Sequence, residues 1–223
     1  MLMSSAIQLD RVSHRYGDHI IFDKLSLEIE AEKITAILGK SGSGKSTLLQ
    51  IINGLIRPYE GTVSLLGKPI DYENIHQIRR TIGYAVQSVG LFPHLTVFEN
   101  ITLPGVLAGW GKEQKIKRTK ELMELVNLSE SHKKKYPYQL SGGEQQRVGL
   151  CRAILLNPLF MLLDEPFSSL DTDTKQDIHA EVIKLQHKEP RCIVMVTHDS
   201  EEAIKLGDTQ LKFENGKLFP LQS

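Results

Sequence analysis

Cysteine is scarce in this sequence: Cys151 and Cys192 are two among 223 residues. A disulfide framework does not fit that count. A reduced compartment does, with both thiols read as small buried hydrophobes. Long apolar runs are missing too. No stretch approaches the ~18 residues of a membrane-spanning helix. The N-terminus, MLMSSAIQLD, lacks the basic start and apolar stretch of a signal peptide. Work at a membrane would therefore need another protein as anchor. No charge sign dominates, since Lys plus Arg and Asp plus Glu are each 27. No global basic field draws the chain to nucleic acid or anionic lipid. Tryptophan occurs once, as Trp110 between Gly109 and Gly111, a placement read as an exposed edge.

What is present suits one sizeable soluble core: 40% hydrophobic and 24% charged residues. Three short apolar runs stand out, at 34–38, 160–163 and 193–196. None alternates strictly in and out. Such runs predict strands buried on both faces, as in a parallel sheet covered by helices. Each is followed by polar or glycine residues and then a plausible helix, which predicts an α/β sheet. Segments 6–12, 19–30, 61–66 and 81–86 have mixed polarity and predict an antiparallel portion beside it. Leu48, Leu49, Ile51 and Ile52 share one side of a helix that Asn53-Gly54 should stop. Residues 112–128 predict an amphipathic helix with Ile116, Leu122, Met123, Leu125 and Val126 on one face. Residues 142–156 predict another. Little strand signal lies between 88 and 158. That predicts a helical insertion (88–158) between two parts, 1–87 and 159–223, of one sheet domain. Lys133, Lys134 and Lys135 read as a solvated face.

Residues 39–46, GKSGSGKS, match G-x-x-x-x-G-K-[ST] at every defined position, after a buried strand and before a helix. Gly39, Gly42 and Gly44 permit backbone angles that other residues resist. The loop Gly39, Lys40, Ser41, Gly42, Ser43, Gly44 can then turn its N–H groups around an anion. The helix that follows, with Lys45, Ser46 and Thr47 in its first turn, points its positive end there. Lys45 supplies a point charge for the outer phosphates of ATP, and Ser46 a hydroxyl for Mg²⁺. Asp164 and Glu165 close a buried strand, where ligands of such sheets collect. Asp164 is placed to hold the metal's water shell and Glu165 to polarise an attacking water; alone, the pair could be ordinary loop acids. His198, in Thr197-His198-Asp199, could touch the terminal phosphate, or simply precede a helix capped by Asp199.

Residues 140–147, LSGGEQQR, together with the phosphate loop and LLDE at 162–165, closely resemble the nucleotide-binding subunit of ABC transporters. The likeness runs along essentially the whole chain. Ser141 and Glu144 also spell a capping box that opens the helix at 142, leaving the N–H groups of Gly142 and Gly143 bare. The resemblance implies a P-loop NTPase (RecA-like) core, with an antiparallel β portion and a helical subdomain. It implies that Ser141, Gly142 and Gly143 of a second copy close over the ATP, so that two copies sandwich nucleotide head to tail. It also implies that Tyr16 stacks on adenine, although by sequence alone Tyr16 could be an ordinary strand tyrosine. Gln87 then senses Mg²⁺ and water, Asp171 crosses the dimer interface, Glu165 is the catalytic carboxylate and His198 the switch histidine. No defining position is missing, so a competent ATPase is expected rather than a degenerate half.

The implied partners are a second ATP-binding subunit, transmembrane permease subunits and a solute-binding protein, with no nucleic acid. The implied place is the cytoplasmic face of the cell membrane. The segment GLFPHLTVFENI, 90–101, resembles importers of amino acids and of quaternary-amine osmoprotectants. The chain ends soon after His198, so the C-terminal regulatory domain common in the osmoprotectant type is expected to be absent. A lipid, lipoprotein or peptide exporter is the alternative, on Leu103-Pro104 and the compact length. A soluble ATPase of DNA repair or translation, or a non-hydrolysing regulator, fits less well. Residues 88–110 are the expected contact for the membrane subunit, with Leu91, Phe92, Pro93, Leu95 and Val97 apolar in a loop-like context; local packing of the helical insertion would account for any one of them equally well.

Overall fold

The computed structural model describes residues 5–86, 90–168 and 170–221. Two sheets carry it. The first is antiparallel, in the order β2 (His19–Glu30), β1 (Ser5–Tyr16), β4 (Glu60–Leu65), β5 (Lys68–Pro69). The second runs β10 (Lys217–Pro220), β9 (Thr209–Glu214), β3 (Ile34–Leu38), β8 (Cys192–Thr197), β7 (Phe160–Asp164), β6 (Ile82–Ala85). All its pairings are parallel except that of β10 with β9.

The absence of alternation in the three apolar runs has a direct cause. Ala36, Met161, Leu163, Ile193 and Met195 enter one core, and Ile37, Phe160, Leu162, Val194 and Val196 enter the other. Both faces of the central strands are therefore dry. Helix α1 (Lys45–Ile52) covers the second face with Leu48, Leu49, Ile51 and Ile52, all buried. Asn53 caps it and Gly54 turns away at φ 65°, as its sequence predicts. Cys151 and Cys192 are buried thiols.

Segment 81–86 departs from expectation. It forms β6, which pairs in parallel with β7 rather than joining the antiparallel sheet. Its mixed polarity reflects an edge position, and Gly83 is there for space. A Cβ on Gly83 would fall 2.3 Å from the Ala153 carbonyl oxygen, so helix α5 (Gly142–Ile154) packs directly on the strand.

Between β6 and β7 the described residues hold helices. After α2 (Ile75–Arg79), which precedes β6, come α3 (Val97–Leu107), α4 (Lys112–Leu125) and α5. Helix α3 replaces the loop expected around Val97. Thr96 accepts from the Glu99 amide while Glu99 accepts from the Thr96 amide, a capping box written in sequence as T-x-x-E. Buried Asn100 pins the preceding loop, bonding Phe92 N, Phe92 O and Leu95 O. In α4 the buried stripe is Thr119, Leu122, Met123 and Leu125, while Ile116 is 43% exposed, against the expected face. Trp110 is half-buried against the core rather than an exposed edge, because Gly105 leaves room for its ring. Helices α6 (Thr172–Lys188) and α7 (Ser200–Leu206) complete the fold. No described helix is long and apolar enough to cross a membrane.

Candidate functional site

The phosphate loop leaves β3 at Leu38, its first amide bonded from Gly39 N to Thr197 O at 3.1 Å. Gly42 (φ 76°) and Gly44 (φ 109°) occupy left-handed backbone, as their sequence positions predict. Gly39 has another reason: a Cβ there would meet the Phe213 carbonyl oxygen at 2.9 Å. Space, not angle, demands that glycine.

Inside the loop, buried Lys45 donates from Nζ to Gly39 O (2.7 Å) and Lys40 O (2.9 Å) and lies 3.4 Å from Glu165 Oε1. The ammonium is thus poised at the centre of the loop. The buried Ser43 hydroxyl has no hydrogen-bond partner among the described residues. A hidden hydroxyl without a partner and a buried cation inside a glycine-rich turn suit an anion with several oxygens, such as a polyphosphate. Lys40 and Ser41 are exposed at the rim, and Thr47 is buried on α1.

Ser46 donates to Asp164 Oδ1 at 2.9 Å, and Tyr84 donates to Asp164 Oδ2 at 3.4 Å. Burial pushes the Asp164 carboxyl above its usual range, opposed by those two hydrogen bonds. Burial likewise raises the Tyr84 phenol, so it stays a donor. A buried carboxylate beside a hydroxyl offers the hard oxygens that Mg²⁺ prefers. The residues fit that ion.

Glu165 follows in left-handed backbone at φ 45°, unusual for a non-glycine residue and costing about 1–2 kcal/mol. Its amide donates to Val196 O at 3.0 Å and its carbonyl accepts from Ser168 Oγ at 3.1 Å. Those bonds hold the turn and aim the carboxylate back over the loop. Glu165 Oε2 stands 3.0 Å from His198 Nδ1. The histidine is therefore more than the residue before a capped helix, although Asp199 does cap α7 through the Glu201 and Glu202 amides.

A second cluster gathers around Thr174. Ser141 caps α5, its hydroxyl accepting from Glu144 N at 3.2 Å while Glu144 accepts from Ser141 N at 2.8 Å. The hydrogen bond from the Ser141 amide holds the Glu144 carboxyl below its usual range. Gly142 is exposed, with only Leu170 at 4.0 Å from a would-be Cβ, so its face is open to a visitor. Gly143 is buried, and a Cβ there would strike Thr174 Cγ2 at 2.4 Å. Asp171 caps α6 by accepting from Thr174 N (3.0 Å) and Thr174 Oγ1 (2.7 Å). Gly143, two residues along from the Ser141 cap, and Asp171 thus meet on the Thr174 side chain.

Two further residues carry the arrangement and were not legible from motifs. Tyr84 holds Asp164. Lys175 of α6 reaches Asp199 at 3.1 Å and Glu202 at 2.8 Å, linking the Asp171 helix to the His198 loop. Tyr84 follows two residues into a strand and carried no motif. Tyr16 ends β1 opposite His19 and is 50% exposed. Gln87, expected to sense metal and water, lies outside the described residues.

Known proteins match this chain in sequence and in fold. The family described as ABC transporter matches residues 22–168. The carnitine transport ATP-binding protein OpuCA of Listeria monocytogenes is 40% identical over 213 residues, covering 95% of this chain and 54% of that protein. The glycine betaine uptake system ATP-binding protein YehX of Escherichia coli is 37% identical over 212 residues, 95% of this chain and 69% of that one. A probable sulfate/thiosulfate import ATP-binding protein, CysA of Chlorella vulgaris, is 38% identical over 218 residues, 98% and 91% of the two chains. The chain spans about half the length of the carnitine relatives. Among solved structures, the dimeric cassette MJ0796 superposes with a TM-score of 0.86 at 34% identity, covering 97% of this chain and 99% of that one. The same cassette in a post-hydrolysis state bound to ADP and Pi gives 0.86 at 33%.

Proposed function

The chain belongs to the ABC transporter family, and from that membership we propose that it is an ATP-hydrolysing motor subunit that closes on a second copy over ATP and drives import of a small polar solute through a membrane permease. The observation that carries the reading is the convergence of Lys45, Ser46, Asp164, Glu165 and His198 at the ends of β3, β7 and β8. Those strands are buried on both faces, so the site rests on rigid ground.

The loop amides and Lys45 hold the phosphates. Mg²⁺, when bound, would be held by Ser46 and Asp164, with Gln87 as a further candidate, and would neutralise charge on the outer phosphate oxygens. Phosphoryl transfer asks mainly for positioning. Glu165 accepts a hydrogen bond from the attacking water, and His198 fixes the Glu165 carboxylate and reaches toward the terminal phosphate. As water attacks, the bond from the γ-phosphorus to ADP breaks and inorganic phosphate leaves. The exposed Gly142 and its neighbour Gly143 open α5, where the first helical amides lack intrahelical partners, and with the Ser141 hydroxyl they suit the terminal phosphate on a second copy, with Asp171 nearby. Hydrolysis removes the bridging phosphate and loosens the pair.

The two domains proposed are a catalytic core (1–87 and 159–223) and a helical subdomain (88–158). Between β6, α3 and α5 lies a groove of about 500 Å³, lined in part by Arg80, Tyr84, Leu107 and Arg152. It is the favoured seat for a permease segment, since its lining comes from both proposed domains. The chain would then sit on the cytoplasmic face of the membrane, held there by its permease. Relatives named for carnitine and glycine betaine support import of a quaternary amine with a solute-binding protein. A sulfate relative of similar identity supports assigning solute choice to the partners rather than to this chain.

Co-purification from membranes tests the assignment. A multi-span protein should be recovered with this chain, whereas recovery with ribosomes or DNA would sink it. The base site has its own test. Tyr16→Ala should weaken ATP about 5- to 150-fold, the ~1–3 kcal/mol of a stacked base, and leave inorganic triphosphate unchanged. Equal weakening of both would remove the stacking role.

A further inference from the structure

A row of four rings joins the two ends of the nucleotide site. His14 and Tyr16 stand two apart on β1, so their side chains leave the same face of the sheet. Their centroids are 4.9 Å apart with planes at 86°, edge to face. Across the β1–β2 pairing His14 faces Phe22, at 6.4 Å and 41°. Phe22 meets Phe213 of β9 edge to face at 6.3 Å and 87°. Phe213 in turn supports the phosphate loop. A Cβ on Gly44 would lie 3.5 Å from its Cε1, and one on Gly39 would lie 2.9 Å from its carbonyl oxygen.

The outermost ring, Tyr16, is half exposed, while Phe22 and Phe213 are buried at 1% and 2%. An exposed tyrosine at a strand end ordinarily samples several rotamers, and fixing one on binding costs affinity. A phosphate anchor and a stacking surface act together only when their separation matches the nucleotide. His14 is the link between the exposed ring and the buried pair. Both its ring nitrogens are hidden from water and have no hydrogen-bond partner among the described residues. Burial holds its imidazole below the usual histidine range, so it packs as a neutral flat ring.

We infer that His14 is a positioning residue for the nucleotide base: it fixes the Tyr16 ring and, through Phe22 and Phe213, sets that ring's distance from the phosphate loop. The inference rests on the reading of Tyr16 as the stacking surface.

Binding of ATP and of inorganic triphosphate, titrated side by side, tests it. His14→Ala should weaken ATP about 3- to 10-fold, the range of one edge-to-face pair, and leave triphosphate unchanged. His14→Phe should retain both affinities, because a ring is kept. ATP binding by His14→Ala equal to the parent overturns the inference. Should His14→Ala lose triphosphate as well, His14→Leu decides, since it fills the volume without a ring. A selective loss of ATP in His14→Leu supports the inference, and a proportional loss of both ligands overturns it. Tyr16→Ala in the same titration separates the two readings. A selective loss there with none in His14→Ala defeats only the role of His14. An equal loss of both ligands in Tyr16→Ala defeats the stacking assignment and the inference together.

Discussion

Glu165→Gln is expected to lower ATP turnover by about 10²–10⁴-fold, the usual worth of a positioned general base, while ATP binding persists. The two side chains have the same shape, and the backbone bonds that hold position 165 in its left-handed turn remain available. What disappears is the negative charge. Glu165 sits 3.4 Å from the Lys45 ammonium through one oxygen and 3.0 Å from His198 through the other. An amide there cannot draw a proton from water. The nucleotide then persists unhydrolysed, and the two copies stay closed on it. Steady-state phosphate release should collapse, and size-exclusion chromatography with ATP should show a lasting dimer. Turnover equal to the parent would remove Glu165 from the chemistry.

Lys45→Ala should act earlier, on binding. A charge-assisted hydrogen bond is worth about 1.5–3 kcal/mol, so losing the ammonium should weaken ATP by about 10- to 150-fold. Thermal melts give a clear readout. A ligand at 100 times its Kd stabilises the fold by about 2.7 kcal/mol, and at that same ATP concentration the variant should keep about half of that stabilisation or less, with a correspondingly smaller rise in Tm. Its own Tm should also fall. Lys45 is buried, donates to two loop carbonyls and faces a buried carboxylate, and a buried charge that loses one of its partners is destabilising. An ATP-dependent rise in Tm equal to the parent's would show that phosphate is held elsewhere.

These two variants separate roles that the motif alone merges. Residues 39–46 announce phosphate binding because the requirement is local: glycine at 42 and 44 for backbone angle, a lysine and a serine on the first helical turn. Ser141 and Glu144 are equally local, and the structure builds the capping box that the spacing spells. The Thr96 and Glu99 box was just as legible, yet the apolar context of 91–97 masked it. The hairpin of β9 and β10, turned at Asn215-Gly216 with φ values of 50° and 73°, also had its signal in that dipeptide.

Other features had no local signal. Segment 81–86 shows a strand but not its partner, because edge and direction are set by which strand lies beside it. Ile116 repeats with helical spacing and still faces solvent, since the position of α4 on its neighbours selects the stripe. Gly39 reads as a conformational glycine, and only the carbonyl of Phe213, far along the chain, reveals that it is there for room.

The sequence by itself determined the chemistry: a phosphate loop, two carboxylates at a strand end and a bare helix start, each specified by neighbours within a few residues. Tertiary structure alone decided what those groups touch. Tyr84 on Asp164, Lys175 between α6 and α7, Thr174 beneath Gly143 and the ring row from Tyr16 to Phe213 all join residues distant in the chain. The physical reason is packing. Backbone angle and capping depend on adjacent residues, whereas a contact across a core depends on how sheets and helices fill the same space.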